Sequence, residues 1–229
     1  MTLYLIATPI GNLGDLTQRA AETLKELDVI LCEDTRRTGL LLHHLGLQKR
    51  MISFHEHNED RKLPLALQWL RDGQKVGLVS DAGTPLISDP GFKLVREAAA
   101  ENIPVIALPG ASSVLVALVQ SGLPPYPFTF LGYSPKTSGK RQRFYEQYRD
   151  LEHTTVLFAT PHALVNQLRE LLNAWGDRPC CVCRELTKLH EENFRGTLSG
   201  ALAHFGEKLA IKGELVIVIG KDVQTTANE

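Results

Sequence analysis

From the first residue onward, short runs of β-branched and aliphatic residues alternate with stretches whose apolar positions recur every three to four residues. The pattern predicts strands over residues 3–7, 29–32, 51–54, 76–80 and 105–108. Between them it predicts helices. The first places Ala20, Leu24 and Leu27 on one face, behind a capping-box-like pair, Asp15 and Gln18. Further helices are expected over 38–45, over 61–71 with Pro64 in the first turn, over 92–100, and from 113 to 119. Such alternation implies a mostly parallel sheet with helices on both faces. Ligands of these sheets bind at the carboxyl ends of the strands, which ranks the loops before any motif is considered.

Ser121-Gly122-Leu123-Pro124-Pro125-Tyr126-Pro127 breaks the alternation, because closely spaced prolines continue neither a helix nor a central strand. A boundary is expected there, with an N-terminal α/β domain over 1–120 and a C-terminal α/β domain over 121–229. The second half predicts strands over 128–131, 155–159, 180–183, near 194–196 and over 215–219, and helices over 140–148, 163–172 and 198–208. The polar tail after Gly220 is expected to fray.

Composition narrows the classes. The chain has 229 residues, 43% hydrophobic and 22% charged, with a formal net charge of −1. That balance disfavours a tail-driven nucleic-acid binder but leaves RNA recognition by local basic patches open. The N-terminus runs straight into a strand pattern without a basic leader or long apolar segment, and no apolar run approaches the roughly 18 residues of a membrane span. A cytoplasmic protein is expected. Of the four cysteines, Cys32 stands alone; Cys181 and Cys183 face one side of a strand and Cys180 the other. Without a second Cys/His pair at zinc spacing, they read as small apolar residues, and no metal is expected.

The loops at the predicted strand ends carry the candidate chemistry. Thr8-Pro9-Ile10-Gly11-Asn12 lacks both the dinucleotide and the P-loop glycine spacing, so phosphate cradling is disfavoured while close backbone approach to another ligand is not. Ser80-Asp81-Ala82-Gly83-Thr84-Pro85 combines small residues with one carboxylate, suited to a ligand with a ribose or amino group and a positive centre. Ser112 and Ser113 cap a helix or present hydroxyls to a ligand. Two loops are dense in charge, Glu33-Asp34-Thr35-Arg36-Arg37 and His55-Glu56-His57-Asn58-Glu59-Asp60. Each reads as solvated surface or as part of the ligand edge. In the second half, Arg184-Glu185-Leu186-Thr187-Lys188 and Lys212-Gly213-Glu214 flank predicted strands. Lys136, Lys140, Arg141 and Arg143, with Tyr133, Phe144 and Tyr145 interleaved, can track an RNA backbone or form a solvated helix face.

The ordered set formed by residues 7–13, 32–36, 80–85, 89–91, 108–110, 184–188 and 212–214 resembles the tetrapyrrole-methylase-like class of methyltransferases across nearly the whole chain. Within that class it looks like a branch acting on small-subunit ribosomal RNA. The resemblance implies two α/β domains with S-adenosylmethionine in the cleft between them, and a homodimer. It also implies 2′-O-methylation of a cytidine ribose in the decoding region of 16S ribosomal RNA, on free RNA or the assembled 30S subunit. The cofactor residues it implies are Pro9, Ser80, Asp81, Ala82, Gly83, Thr84, Ser112, Ser113, Phe158, Glu185, Gly213 and Glu214.

A ribose hydroxyl is a very weak acid, so transfer to it needs a base or a nearby cation. Glu56, His55 and Lys188 are the candidates, with Asp34, Arg36, Arg37, Lys140, Arg141 and Arg143 placing the RNA. The chain departs from the resembled pattern at Leu157-Phe158-Ala159-Thr160-Pro161-His162-Ala163, where a glutamate and an arginine are missing. It also ends soon after its last strand, where many of the resembled proteins continue, so weaker or partner-assisted RNA recognition is expected. The rival enzyme reading is a methylase of a corrinoid or porphyrin precursor. Rivals of other classes are a hydrolase using a metal held by His55 and His57, and a non-catalytic RNA-binding module.

Overall fold

A computed structural model describes residues 1–221, so residues 222–229 of the tail expected to fray lie outside the described residues. The chain divides into two compact units, Met1–Ser112 and Ser113–Glu229. The division falls eight residues before the boundary expected at 120/121. The reason is that the helix starting at Ser113 packs on the last strand of the second unit rather than on the first sheet.

The first unit contains β1 (Thr2–Ile6), α1 (Gln18–Glu26), β2 (Val29–Cys32), α2 (Thr35–His44), β3 (Met51–Ser53), α3 (Glu59–Arg71), β4 (Lys75–Val79), α4 (Phe92–Ala100) and β5 (Val105–Leu108). Its five strands are all parallel, in the order β3-β2-β4-β1-β5. Side chains alternate between two cores. Leu3, Val29, Leu31, Val76 and Leu78 pack with α3 and α4, whereas Ile6, Ile30, Cys32 and Val79 pack with α1 and α2. The chain leaves β1 toward β2 and leaves β4 toward β5, in opposite directions across the sheet. The carboxyl ends of these two neighbours therefore form a topological switch point.

Local chemistry differs from expectation at three helix starts. Thr17, not Asp15, caps α1, its hydroxyl accepting from the Ala20 N–H at 3.1 Å. Asn12 caps a preceding single 3-10 turn, Leu13–Asp15. The second helix begins at Thr35, three residues early, because Asp34 is its cap. The third begins at Glu59, so Pro64 lies two residues deeper than expected and removes the N–H that would bond the Asp60 carbonyl.

The second unit contains α5 (Ser113–Gln120), β6 (Phe128–Tyr133), α6 (Ser138–Tyr148), β7 (Thr154–Ala159), α7 (Leu164–Trp175), β8 (Pro179–Arg184), β9 (Glu192–Thr197), α8 (Leu198–Gly206) and β10 (Leu215–Ile219). The sheet order is β6-β7-β10-β8-β9, with only β6 and β7 parallel. One face packs Leu157, Val182, Leu215 and Ile217 against α6, α7 and α8 around Tyr145 and Trp175. Cys180 joins this core, while Cys181 and Cys183 lie on the other face with their sulfurs 3.6 Å apart. All four cysteines are free and buried. Among the described residues, no helix is long and apolar enough to cross a membrane.

Candidate active site

The loops after β1 and β4 are latched to each other. Thr8 and Gly83 exchange main-chain hydrogen bonds at 2.9 Å in both directions. Beneath this pair, the Thr8 hydroxyl donates to the Ser80 carbonyl (3.0 Å) and the Ser80 hydroxyl to the Gly83 carbonyl (2.6 Å). Both side chains are thus spent on holding backbone, which answers why small hydroxyl residues stand there. Asp81 extends the latch: its Oδ1 accepts from the Asp34 N–H at 3.0 Å, and Oδ2 lies 3.7 Å from Arg37 Nε. Thr84 Oγ1 donates to the Ala111 carbonyl at 3.2 Å, which ties in the loop after β5. That loop approaches β1 so closely that a Cβ on Gly110 would stand 2.7 Å from the Ala7 Cβ. Four strand-end loops are therefore one bonded assembly.

Two pockets flank it. One of about 290 Å³ is lined by Thr8, Pro9, Leu13, Arg37, Thr38, Ser80 and Asp81. The other, about 470 Å³, is lined by Glu33, Asp34, Arg36, Ser53, His55, Glu56, His57 and Asp81. Asp81 borders both. Of the sequence-predicted residues, Pro9, Ser80 and Asp81 thus share one cavity and Asp34, Arg36, His55 and Glu56 the other. Ser112 and Ser113 are half-buried at the start of α5.

Individual side chains divide by freedom. Asp34 is engaged twice, as the cap of α2 and in a bidentate pair with Arg36, whose side chain and backbone hydrogen bonds hold its carboxyl down to about 2. His55 is fixed by Asn58. Asn58 Oδ1 accepts from the His55 N–H at 3.0 Å, so its Nδ2 faces His55 Nε2, also at 3.0 Å. Nε2 is then an acceptor and the ring proton sits on Nδ1, which is buried without a partner among the described residues. Glu56 is exposed at the pocket rim, with its carboxylate open to a ligand.

In the sequence Asp89 is marked only as part of the segment 89–91, with no role of its own. Burial first, and then the charges of Glu33 and Asp81, push its carboxyl up to about 6. Glu59 belongs to a charged loop read as solvated surface or as part of the ligand edge; it is buried and accepts from the Gly91 N–H at 3.1 Å. Spacing alone shows neither, because both depend on which loops the sheet order brings together.

In the second unit, Lys188 Nζ donates to Glu185 Oε1 (2.8 Å) and Glu214 Oε2 (3.1 Å). Glu185 Oε1 also accepts from the Glu214 N–H at 3.0 Å. Burial disfavours the Lys188 charge, but hydrogen bonds to both glutamates outweigh it and raise the pKa. These bonds hold Lys188 in its protonated form. The backbone is left-handed at Glu185 (φ 53°) and Thr187 (φ 64°), conformations costing about 1–3 kcal/mol each unless surroundings impose them. Gly213 (φ 94°) faces Glu185 so tightly that a Cβ would collide with its carboxylate. Phe158, on β7, stacks edge-on with Phe130 at 4.9 Å.

The basic cluster on α6 is not one surface. Lys140 and Arg143 are exposed, but Arg141 is only 8% exposed. It pairs with Glu170 and donates to the Lys136 carbonyl at 3.1 Å. Its expected role in RNA contact is corrected: a buried, paired guanidinium holds α6 to α7 and does not reach a phosphate.

A parallel sheet with its switch point at β1 and β4, followed by a mixed five-stranded sheet, defines a known class. The chain belongs to the tetrapyrrole (corrin/porphyrin) methylase family, whose model matches residues 2–202. Within that family it groups with proteins named ribosomal RNA small subunit methyltransferase I. It is 46% identical to one from Streptococcus pyogenes serotype M3 over 98% of this chain and 78% of the relative. Against another from Synechocystis the identity is again 46%, over 95% and 78%. In fold it is similar to the uroporphyrin-III C-methyltransferase of Thermus thermophilus crystallised with S-adenosylhomocysteine. There the TM-score is 0.67 at 20% identity, covering 96% of this chain and 97% of that one. The family and fold class expected from the ordered loops are borne out.

Proposed function

We propose that this chain is an S-adenosylmethionine-dependent methyltransferase of small-subunit ribosomal RNA, methylating the 2′ oxygen of a cytidine ribose in the decoding region of 16S RNA. The observation that carries the reading is the bonded loop assembly around Asp81. It stands at the switch point of a chain 46% identical to proteins named for this substrate. Ser80 and Asp81 line the 290 Å³ pocket, and Asp81 offers its rim a carboxylate, which fits a ribose-bearing cation. S-adenosylmethionine supplies a methyl group on a positive sulfur.

Pro9, Ser80, Asp81, Ala82, Gly83, Thr84, Ser112 and Ser113 are proposed to hold this donor, with Phe158, Glu185, Gly213 and Glu214 contributing from the second unit. Glu56 is the preferred base, because His55 Nε2 is already engaged by Asn58 and Lys188 keeps its proton. Glu56 would take the ribose hydroxyl proton, and the Lys188 ammonium would steady negative charge on the ribose oxygen. Asp34 and Arg36 at the 470 Å³ pocket, Arg37 at the 290 Å³ pocket, and Lys140 and Arg143 on α6 are proposed to place the RNA. A cytoplasmic homodimer completes the proposal.

The family model's own description keeps methylation of a tetrapyrrole precursor as the second reading. Incubating the protein with tritiated S-adenosylmethionine and small ribosomal subunits lacking the modification decides between them. Label in the 2′-O-methyl of an RNA cytidine is expected. Unlabelled RNA with a labelled tetrapyrrole would replace the first reading by the second.

A further inference from the structure

The turn that carries Lys188 is held in its left-handed conformation from behind. Gln120, the last residue of α5, donates from Nε2 to Asn193 Oδ1 at 2.9 Å. Asn193, on β9, donates from Nδ2 to Glu191 Oε1 at 2.9 Å. Glu191 Oε2 in turn accepts the Thr187 N–H at 2.7 Å. The start of the chain is itself gripped, for Arg195 donates to the Gln120 carbonyl at 2.6 and 3.1 Å. The hydrogen bond from Asn193, and then the Thr187 N–H, hold the Glu191 carboxyl below its ordinary range, so the acceptor end is charged. None of these groups belongs to the donor or base residues described above.

We propose that Gln120, Asn193 and Glu191 form a directional hydrogen-bond relay that positions the Lys188 ammonium by fixing the backbone at Thr187. The physical need is plain. A β-branched residue at φ 64° returns to the extended region unless something outside the turn holds it. On the ammonium side the clamp is Glu185 and Glu214; on the backbone side it is Glu191. With only the first clamp, Lys188 keeps its charge but swings with the turn. Misplacement of about 1 Å in such a group costs up to about 100-fold in rate.

The relay has a polarity, and the polarity makes it testable. Glu191 can only accept, so Asn193 must turn its amide nitrogen to it and its oxygen to Gln120. Replacing Gln120 by glutamate sets two acceptors face to face, and rotating the Asn193 amide only moves the conflict to Glu191. Replacing Glu191 by glutamine alone is mild, because the amides of Asn193 and Gln120 rotate together and every bond re-forms in reverse. In the double variant the reversed chain is satisfied throughout, with the carboxylate introduced at position 120 as its terminal acceptor.

The proposal deepens the reading of Lys188 as the catalytic cation and rests on it. The experiment compares Gln120→Glu, Glu191→Gln, the double variant and Lys188→Met, measuring kcat, KM and amide exchange at Thr187. Expected are a drop in kcat of about 10- to 100-fold for Gln120→Glu with KM values little changed, at most about threefold for Glu191→Gln, and recovery to that level in the double variant. Thr187 exchange should quicken in Gln120→Glu and slow again in the double. A double variant no better than Gln120→Glu, in both rate and exchange, overturns the relay. An active Lys188→Met overturns the catalytic reading of Lys188. In that case restored Thr187 protection in the double variant still supports the hold on the turn, and unrestored protection sinks that too.

Discussion

Replacing Gly110 by alanine perturbs the loop assembly at one atom. The added Cβ would meet the Ala7 Cβ at 2.7 Å, against an ordinary contact of about 3.4–4 Å. Ala7 is 4% exposed and its Cβ is attached directly to the backbone, so no rotamer change relieves the contact. The backbone after β1 or β5 must move instead. Overpacking of this kind costs about 1–3 kcal/mol, here toward the upper half because both atoms are backbone-borne. The lower unfolded-chain entropy of alanine offsets about 0.5–1 kcal/mol, leaving a net loss of about 1–2.5 kcal/mol. For a chain of this size that is a fall in Tm of roughly 2–10 °C. Ala7→Gly on its own costs about 1–2 kcal/mol in lost buried surface and chain entropy. It also opens the space, so the double variant should lie above the sum of the singles by the relieved steric term, about 2–3 kcal/mol. Thermal and urea unfolding of the four proteins measures this directly. Additive single effects would refute the steric reasoning.

Other outcomes follow from the same geometry. Because the Asp89 carboxyl is raised to about 6, the folded state binds its proton more tightly than the unfolded chain does. Its contribution therefore falls as pH rises from about 4 to 6 and stays unfavourable above. Asp89→Asn should add about 1–2 kcal/mol at pH 7.5, after allowance for its partial exposure, and flatten the stability profile over that interval in urea titrations. Arg141→Leu should destabilise by about 2–4 kcal/mol through the unpaired Glu170, without altering the salt dependence of RNA binding. Lys140→Gln and Arg143→Gln should each lower the salt slope of binding by about one while leaving the Tm nearly unchanged. Thr187→Asn, better suited to φ 64°, should stabilise the fold by about 0.5–1 kcal/mol with kcat held within about threefold; a destabilised variant would mean the turn is not strained.

How far the chain could be read in advance depended on the range of the interactions. Periodicity marked the strands and helices, because one face of each is apolar for local reasons. Val29 to Cys32 read as a strand since every side chain there is buried on one face or the other. The loops 80–85 and 184–188 stood out by composition. What composition could not show was who holds whom. That the Asp34 N–H is given to the Asp81 carboxylate, 47 residues away, has no trace in composition. Arg141 looked like part of a basic face because Glu170, its partner, lies on another helix. Asp89 titrates upward first because the fold buries it, and then because it lies near Glu33 and Asp81, neither of which composition shows. The division after Ser112 likewise rests on a long-range contact, that of α5 with β10.

The reciprocal bonds between Thr8 and Gly83 have a thermodynamic consequence for whatever ligand arrives. Loops that order only upon binding subtract their lost conformational entropy from the affinity, and they slow association through gating. Here that entropy is already lost when the first sheet forms, since the bonds join the ends of adjacent strands and close with them. Association at this edge should then be limited by diffusion and orientation, with a small heat-capacity change for the loops themselves. The two amides should also count among the slowest-exchanging of any outside regular secondary structure, with or without ligand.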